Sequence, residues 1–313
     1  MQTRKRGNSV FGYFGSKSQL VNEIVKYLPR HNCWVELFGG GLALTMTKHP
    51  AEIEIVNDLN DEVVNAFKQL RDKGDELVKL IELTPYAKFE FVNARASSNV
   101  GTELERARKF LVHAMMSING VMAGNTGGFS RSNTYSRSNR EARVNRWYNY
   151  PERLKVVTER LKGVRIEKKD GIELLAEFSN KPATLVYIDP PYLADRTLGY
   201  KCEAKDRDFH ERLLSQALLC KCMIVMSSYE SATYTKLLGE RGGWKSNLLR
   251  GSTRSTSGET LARSEVLWLN TVAERALRTN RVGLRLTNTE IKHQRVNPAR
   301  GPIRISRRTF RAS

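Results

Sequence analysis

Asp189, Pro190, Pro191 and Tyr192 follow directly on the apolar run Leu185-Val186-Tyr187-Ile188. An acid, two prolines and an aromatic in that order suit a substrate that carries an amino group on a flat ring. With the ring lying over Tyr192, the amino group can donate hydrogen bonds to the Asp189 carboxylate and the Pro190 carbonyl, which draws electron density onto its nitrogen. The prolines fix φ at about −65° and make the platform stiff. Taken alone, the tetrapeptide reads better as a strand that ends in a Pro-Pro turn beside a chance Asp.

Elements of a definite kind are needed to position these groups. Leu185 to Ile188 has the length and composition of a buried parallel strand, and the prolines cannot continue a ladder, so Asp189 is expected at the carboxyl end of the strand. In an open α/β sheet, ligands bind at that edge. Upstream, His31 to Phe38 reads as a strand, Gly39-Gly40-Gly41 as a tight turn, and Leu42 to Lys48 as the start of a helix. Strand, glycine turn and helix N-terminus together bring backbone close to a nucleotide-like ligand. A second strand, Glu52 to Val56, ends in Asn57-Asp58, with Asp58 lying 19 residues beyond Gly39. An acid at that place binds a ribose diol in Rossmann-like folds, so Asp58 is the expected ribose ligand. Capping of the next helix by Asp58 or Asn60 is the alternative. The glycines do not follow G-x-G-x-x-G, which favours a single adenosine-bearing cofactor over a dinucleotide.

The series Phe11-Gly12-Tyr13-Phe14-Gly15-Ser16-Lys17, then Trp34 to Gly41, then Val56 to Asn60, then Tyr187 to Tyr192 resembles the Dam-type DNA adenine N6-methyltransferases. The similarity runs in order from about Phe11 to Asn270. It implies a Rossmann-like core that binds S-adenosyl-L-methionine, interrupted by a mainly helical target-recognition domain. It also implies cofactor contacts from Tyr13, Lys17, Glu36, Phe38, Gly39, Gly41, Asp58 and Asp189, with Asp170 approaching the adenine ring. Asp189, Pro190, Pro191 and Tyr192 become the catalytic motif. Ser16 stands where the family more often has a second glycine before the lysine.

Between Asp58 and the next sheet strand lie about a hundred residues, more than a connection needs. Asp61 to Arg71, Asp75 to Leu83, Pro85 to Ala94 and Thr102 to Ser117 carry helical spacing. Asn119 to Arg146 is then rich in Gly, Ser and Asn and holds Arg131, Arg137, Arg140, Arg143 and Arg146, with Phe129 and Tyr135 interleaved. Such a loop suits contacts to phosphates and base edges and a wedge beside a flipped base, or it is a solvated loop. By the resemblance it holds the recognition hairpin, and Asn119, Arg131 and Arg137 are its expected DNA contacts.

After a helix from Pro151 to Lys162, Val164 to Glu167 reads as a strand ending near Asp170, which can equally cap the helix Gly171 to Phe178. Phe209 to Leu219 reads as a helix and Met223 to Met226 as a buried strand ending in Ser227-Ser228-Tyr229. Trp244 to Arg250 and Glu265 to Asn270 read as an antiparallel closing pair, joined by a mobile loop from Gly251 to Ser264. His113 and His210 lie in helical segments without partners at ligand spacing and are expected to be structural. The division expected is 1–60 and 147–272 for the core, 61–146 for the recognition insertion, and 273–313 for a basic disordered tail.

The formal charge of +19 over 313 residues is the footprint of a polyanion binder. From Ala273 to Ser313 there are ten Arg and one Lys against Glu274 and Glu290, a net +9. No apolar run reaches the length of a membrane span and no signal peptide is seen, so a cytoplasmic, DNA-associated protein is expected. The cysteines show no paired ligand spacing, which favours neither zinc nor a disulfide. No metal is expected, because a sulfonium supplies its own electrophile. The expected partner is double-stranded DNA, with a cognate restriction enzyme and a monomeric state both compatible with the sequence. The competing readings are transfer to cytosine N4, to RNA adenine or to a protein glutamine, and a DNA-binding protein that has kept the fold and lost turnover. Asp rather than Ser or Asn at position 189 leans toward adenine.

Overall fold

A computed structural model of the chain describes residues 9–13, 15–118, 120–121, 127–191, 207–254 and 260–281. Its strands are β1 (Cys33–Glu36), β2 (Ile53–Asn57), β3 (Ser136–Arg137), β4 (Arg140–Glu141), β5 (Val164–Glu167), β6 (Thr184–Ile188), β7 (Met223–Tyr229), β8 (Lys245–Arg254) and β9 (Thr260–Leu269). Seven of them form one sheet in the order β5-β2-β1-β6-β7-β9-β8. The first five are parallel, while β9 runs antiparallel to β7 and β8 antiparallel to β9. The fold is thus α/β and Rossmann-like, with β1 and β6 adjacent at the centre. Their carboxyl ends, Leu37 to Gly41 and Asp189 to Pro191, therefore open on the same edge.

Alternation along the strands divides the core into two faces. Val35, Leu37, Val186, Ile188, Ile224 and Met226 pack on one side with α8 (Gly171–Phe178) and α9 (Arg207–Leu219). Trp34, Leu185, Tyr187, Val225 and Leu267 pack on the other with α1 (Val21–Ile24) and α11 (Thr271–Thr279). Fully buried strands of this kind need no polar face, which is why they read as apolar runs.

The insertion after β2 is helical as expected. Its helices are α2 (Asp61–Asp72), α3 (Gly74–Glu82), α4 (Lys88–Ala96) and α5 (Glu103–Met116). Next come the hairpin β3-β4, α6 (Ala142–Tyr148) and α7 (Tyr150–Lys162). Phe67, Leu77, Phe91, Phe110, Trp147, Leu154 and Leu161 share one apolar cluster with Val56 of β2 and Val164 of β5. The helix α6 runs across the expected boundary at 146/147, and α7 packs with the insertion. The short helix α10 (Ala232–Tyr234) continues into a π-helical stretch, Thr235–Arg241.

Three local expectations are corrected. Leu42 to Lys48 forms successive turns rather than a regular helix. Leu42 takes φ +52°, a left-handed conformation that a helix cannot start from, and only isolated bonds such as Met46 N to Leu42 O follow. The closing pair is longer than expected, because pairing continues to Arg254 opposite Thr260 and leaves only 255–259 between the strands. A backbone ladder of this length needs no apolar alternation to persist. The basic tail does not begin at Ala273. Asn270 caps α11 by accepting from Ala273 N at 2.9 Å, and Val272, Ala273 and Ala276 are buried against the sheet. The rest of that segment, 282–313, lies outside the described residues, as do 1–8.

Candidate active site

The carboxyl end of β6 carries Asp189, whose Oδ1 receives two donors. Lys17 Nζ stands 2.9 Å away, and Ser227 Oγ, from β7, donates at 2.9 Å. Behind them the Tyr187 hydroxyl is 2.9 Å from Ser227 Oγ in a buried contact. Two donors on one oxygen from opposite neighbours fix the plane of the carboxylate. Pro190 is buried and Pro191 half-buried, and both are described; Tyr192 lies outside the described residues.

Lys17 was expected among the cofactor contacts. Its ammonium pairs with Asp189 and lies 3.7 Å from Glu265 Oε2, with Gly15 O accepting at 3.2 Å. Burial works against its charge, but Asp189 and Glu265 outweigh it and hold the Lys17 pKa above the ordinary lysine range. Glu265 escaped the sequence reading because it looks like any acid in an edge strand; only pairing of β9 with β7, Glu265 opposite Tyr229, brings it here.

The cofactor side gathers around the turn after β1. Gly40 takes φ +48°, and a Cβ there would lie 3.0 Å from the Tyr13 ring, so Tyr13 lies directly on the turn. Val10 N donates to Gly41 O at 2.9 Å and Ser9 Oγ to the same oxygen at 3.0 Å, which ties the Tyr13 loop to the turn. Gly39 N donates to Asn57 O at 2.7 Å. A Cβ on Gly41 would meet Ser9 Oγ at 2.4 Å.

Asp58 closes this cradle from β2. Its Oδ2 accepts from Gly40 N and its Oδ1 from Asn60 N, both at 2.8 Å. Burial raises the Asp58 pKa, partly offset by these N–H donors. Capping of α2 falls to Asn60, which accepts from Glu62 N at 2.9 Å and Val63 N at 3.3 Å. A carboxylate with two bonds accepted keeps lone pairs for ribose hydroxyls.

Glu36 is buried at the end of β1. Its Oε2 accepts from Thr45 N at 3.1 Å and from the Thr45 hydroxyl, which itself accepts from Trp34 Nε1 at 2.7 Å. Burial lifts its pKa to about 8 against the Thr45 hydrogen bonds. Phe38 lies against Gly171, where a Cβ would stand 2.7 Å from the ring. Beside it, Asp170 spends Oδ1 on the N-terminus of α8, accepting from Ile172 N at 2.8 Å and Glu173 N at 3.2 Å. The capping alternative for Asp170 is therefore realised, at the same sheet edge as the cofactor cradle. Glycines that admit close approach after β1, an acid after β2 and the Phe38 ring against Gly171 fit an adenosine-bearing group.

On the insertion, Ser138 and Asn139 have φ +51° and +57° and turn the hairpin β3-β4. Arg131 and Arg137 are exposed on and before it, and Arg137 Nε donates to Tyr135 OH at 3.1 Å. Arg140 stacks over the Tyr148 ring at 4.0 Å. Phe129, expected as a DNA-facing aromatic, instead packs against Tyr86 and Phe91 at ring distances of 5.1 and 5.9 Å. Asn119 lies outside the described residues, but Gly120 beside it touches Gly12 so closely that a Cβ would meet Gly12 O at 2.4 Å. The helical insertion thereby contacts the Tyr13 loop, and Val121 N donates to Gly12 O at 3.2 Å.

His210 is fully buried with Nδ1 2.8 Å from Tyr234 OH, and His113 packs beside Phe91. Among the described residues no helix is long and apolar enough to cross a membrane.

The type II methyltransferase M1.LlaDCHI of Lactococcus lactis subsp. cremoris is 26% identical over 187 residues, which is 57% of this chain and 63% of that protein. The DNA N-6-adenine-methyltransferase of Escherichia phage P1 is 26% identical over 125 residues, covering 38% of this chain and 16% of the phage protein. The chain thus spans less than two thirds of either relative. Among solved structures, a SAM-dependent methyltransferase from Agrobacterium tumefaciens aligns with TM-score 0.36 at 12% identity, over 80% of this chain and 60% of that one. Precorrin-6y C5,15-methyltransferase from Geobacter metallireducens aligns with TM-score 0.35 at 10% identity, over 83% and 96%. The assignment rests on the sequence: residues 13–250 match the model of one family, and the chain belongs to the D12 class of N6 adenine-specific DNA methyltransferases.

Proposed function

We propose that the chain is a site-specific DNA adenine methyltransferase that transfers a methyl group from S-adenosylmethionine to N6 of an adenine in duplex DNA. The observation that carries this reading is the end of β6, where Asp189 and Pro190 stand beside the glycine cradle of β1 with the Asp189 carboxylate held by Ser227 and Lys17.

An adenine amino group is a poor nucleophile because its lone pair conjugates with the ring. The Asp189 carboxylate and the Pro190 carbonyl each accept one of its hydrogens, which favours a pyramidal nitrogen, and Tyr192 stacks on the base. Tyr13, Glu36, Phe38, Gly39, Gly41 and Asp58 are the residues that would hold the cofactor, with Asp170 shaping the adenine end through α8. When bound, S-adenosylmethionine supplies the methyl group as a sulfonium electrophile. The nitrogen would gain a bond to the methyl carbon as that carbon's bond to sulfur breaks and a neutral thioether leaves, and it would release one proton to water. Asp189 faces the positive charge that develops on N6 in the transition state. A stacked base cannot reach this edge, so the target adenine is flipped out of the duplex.

The insertion, with Arg131 and Arg137 in its hairpin region, serves as the target-recognition domain in this reading, and Asn119, outside the described residues, is the third expected DNA contact. A DNA substrate implies an intracellular site of action, and the type II naming of the lactococcal relative makes a restriction enzyme of matching specificity the partner to seek. The test is sequencing that reads modified bases after incubation of unmethylated genomic DNA with the chain and S-adenosylmethionine. N6-methyladenine confined to one short motif supports the reading; unmodified DNA that nevertheless binds the chain favours a silent binder.

A further inference from the structure

The two prolines that follow β6 carry no N–H, so a sheet ladder cannot hold this part of the chain and only their carbonyls can take up donors. In the methyl-transfer reading the Pro190 carbonyl is reserved for the substrate amino group. The Pro191 carbonyl, half of the peptide bond that leads into Tyr192, is the backbone acceptor facing the imidazole of His210 on α9. His210 is fully buried, and its Nδ1 stands 2.8 Å from the hydroxyl of Tyr234, itself buried on α10. Among the described residues, its Nε2 is buried as well and makes no hydrogen bond of ordinary geometry. The start of α9 is seated at this sheet edge by Phe209, whose ring meets Phe38 edge to face at 6.2 Å. A buried polar nitrogen without a partner costs free energy that a phenyl ring would not, so an imidazole at this place calls for an explanation.

The proton count supplies one. Burial lowers the His210 pKa to about 4, so the ring is neutral and carries one N–H. Tyr234 keeps its own proton, because burial and, after it, the charge of Asp189 raise its hydroxyl above the ordinary range. If Nδ1 carried the ring proton, Nε2 would be left with a bare lone pair and no N–H to offer a carbonyl. With Tyr234 donating to Nδ1, the N–H falls on Nε2 and a donor is available to that acceptor. Resting on the methyl-transfer reading above, we infer that His210 is a positioning residue of the catalytic motif: Tyr234 sets its tautomer, and Nε2–H holds the Pro191 carbonyl, which fixes the peptide bond that joins Tyr192 to the strand. Bonds of this kind are often long before substrate binds and shorten in the reacting complex.

The experiment uses full-length chains at saturating S-adenosylmethionine and duplex DNA. His210→Phe keeps a ring without its N–H and is expected to slow single-turnover methyl transfer at least about tenfold, with S-adenosylmethionine affinity within about twofold of wild type. His210→Gln carries an amide N–H to about the reach of Nε2 and should be at least about threefold faster than His210→Phe. The shorter His210→Asn reaches only the place of Nδ1 and should stay as slow as His210→Phe. A His210→Phe rate within about twofold of wild type, or a His210→Gln chain no faster than His210→Asn, overturns the inference. If His210→Phe does not fold, the comparison of His210→Gln with His210→Asn decides. Nitrogen NMR of the histidine-labelled wild type is the readout without activity. An Nε2–H tautomer is expected for the signal that His210→Gln lacks, and an Nδ1–H tautomer contradicts the inference. If the wild type methylates no DNA, the reading above fails, and the tautomer still decides whether His210 has a donor for the Pro191 carbonyl.

Discussion

Gly40 donates its backbone N–H to Asp58 Oδ2 at 2.8 Å, so the acid that ends β2 closes the turn that ends β1. Replacing Asp58 by Ala removes an acceptor from Gly40 and Asn60 as well as the expected ribose ligand. Affinity for S-adenosylmethionine should fall by roughly tenfold or more, with a stability loss of about 1–2 kcal/mol from the two bonds. Calorimetric titration together with urea denaturation separates the two; unchanged affinity in a folded Asp58→Ala chain would remove Asp58 from the cofactor site.

Gly40→Ala probes the same cradle from its other side. The position has φ +48° and faces the Tyr13 ring at 3.0 Å, so a side chain there is strained by on the order of 1–2 kcal/mol and pushes Tyr13 away. Weaker cofactor binding is the expected outcome. Gly163→Ala is the control, because a Cβ there meets nothing nearer than 4.0 Å and the residue has φ −90°.

Glu36 makes stability depend on pH. Its pKa is about 8 in the folded chain, raised by burial from the ordinary 4.5. The folded chain therefore keeps a proton that the unfolded chain releases between those values. The stabilisation is complete below the ordinary carboxylate range and is lost as pH rises through about 8. Between pH 7 and 9 the loss amounts to about 1 kcal/mol, and Glu36→Gln should flatten that part of the curve in urea denaturation. A Glu36→Gln chain with the same slope as wild type would show that another group titrates.

The strand ends that meet at one sheet edge were legible because each apolar run stops at a polar or glycine break: the glycines after β1, Asp58 after β2 and Asp189 after β6. What escaped depends on pairing between distant segments. Glu265 comes within 3.7 Å of Lys17 Nζ only because β9 returns antiparallel beside β7. The seven-residue stretch after Gly41 has helical composition, but the backbone of Leu42 cannot enter a helix. Phe129 looked surface-bound in a polar loop, yet three aromatic rings of the insertion close around one another. Charge alone made Ala273 to Ser313 look solvated, and the buried spacing of Val272, Ala273 and Ala276 was hidden among arginines.

Arg131 and Arg137 are exposed, and in the proposed function both contact DNA. Replacing both by Ala should reduce the slope of log affinity against log salt by about 2 if each contacts a phosphate. Fluorescence anisotropy with a labelled duplex at several salt concentrations gives the slope. An unchanged slope would take both residues out of the backbone contacts.

In the proposed function, Asp189 activates an adenine amino group for methylation. Nucleoside mass spectrometry of duplex DNA treated with S-adenosylmethionine and either wild type or Asp189→Asn tests it most directly. N6-methyladenine is expected from the wild type and at least about a hundredfold less from Asp189→Asn, with DNA binding retained. N4-methylcytosine from the wild type, or N6-methyladenine undiminished in Asp189→Asn, would contradict it.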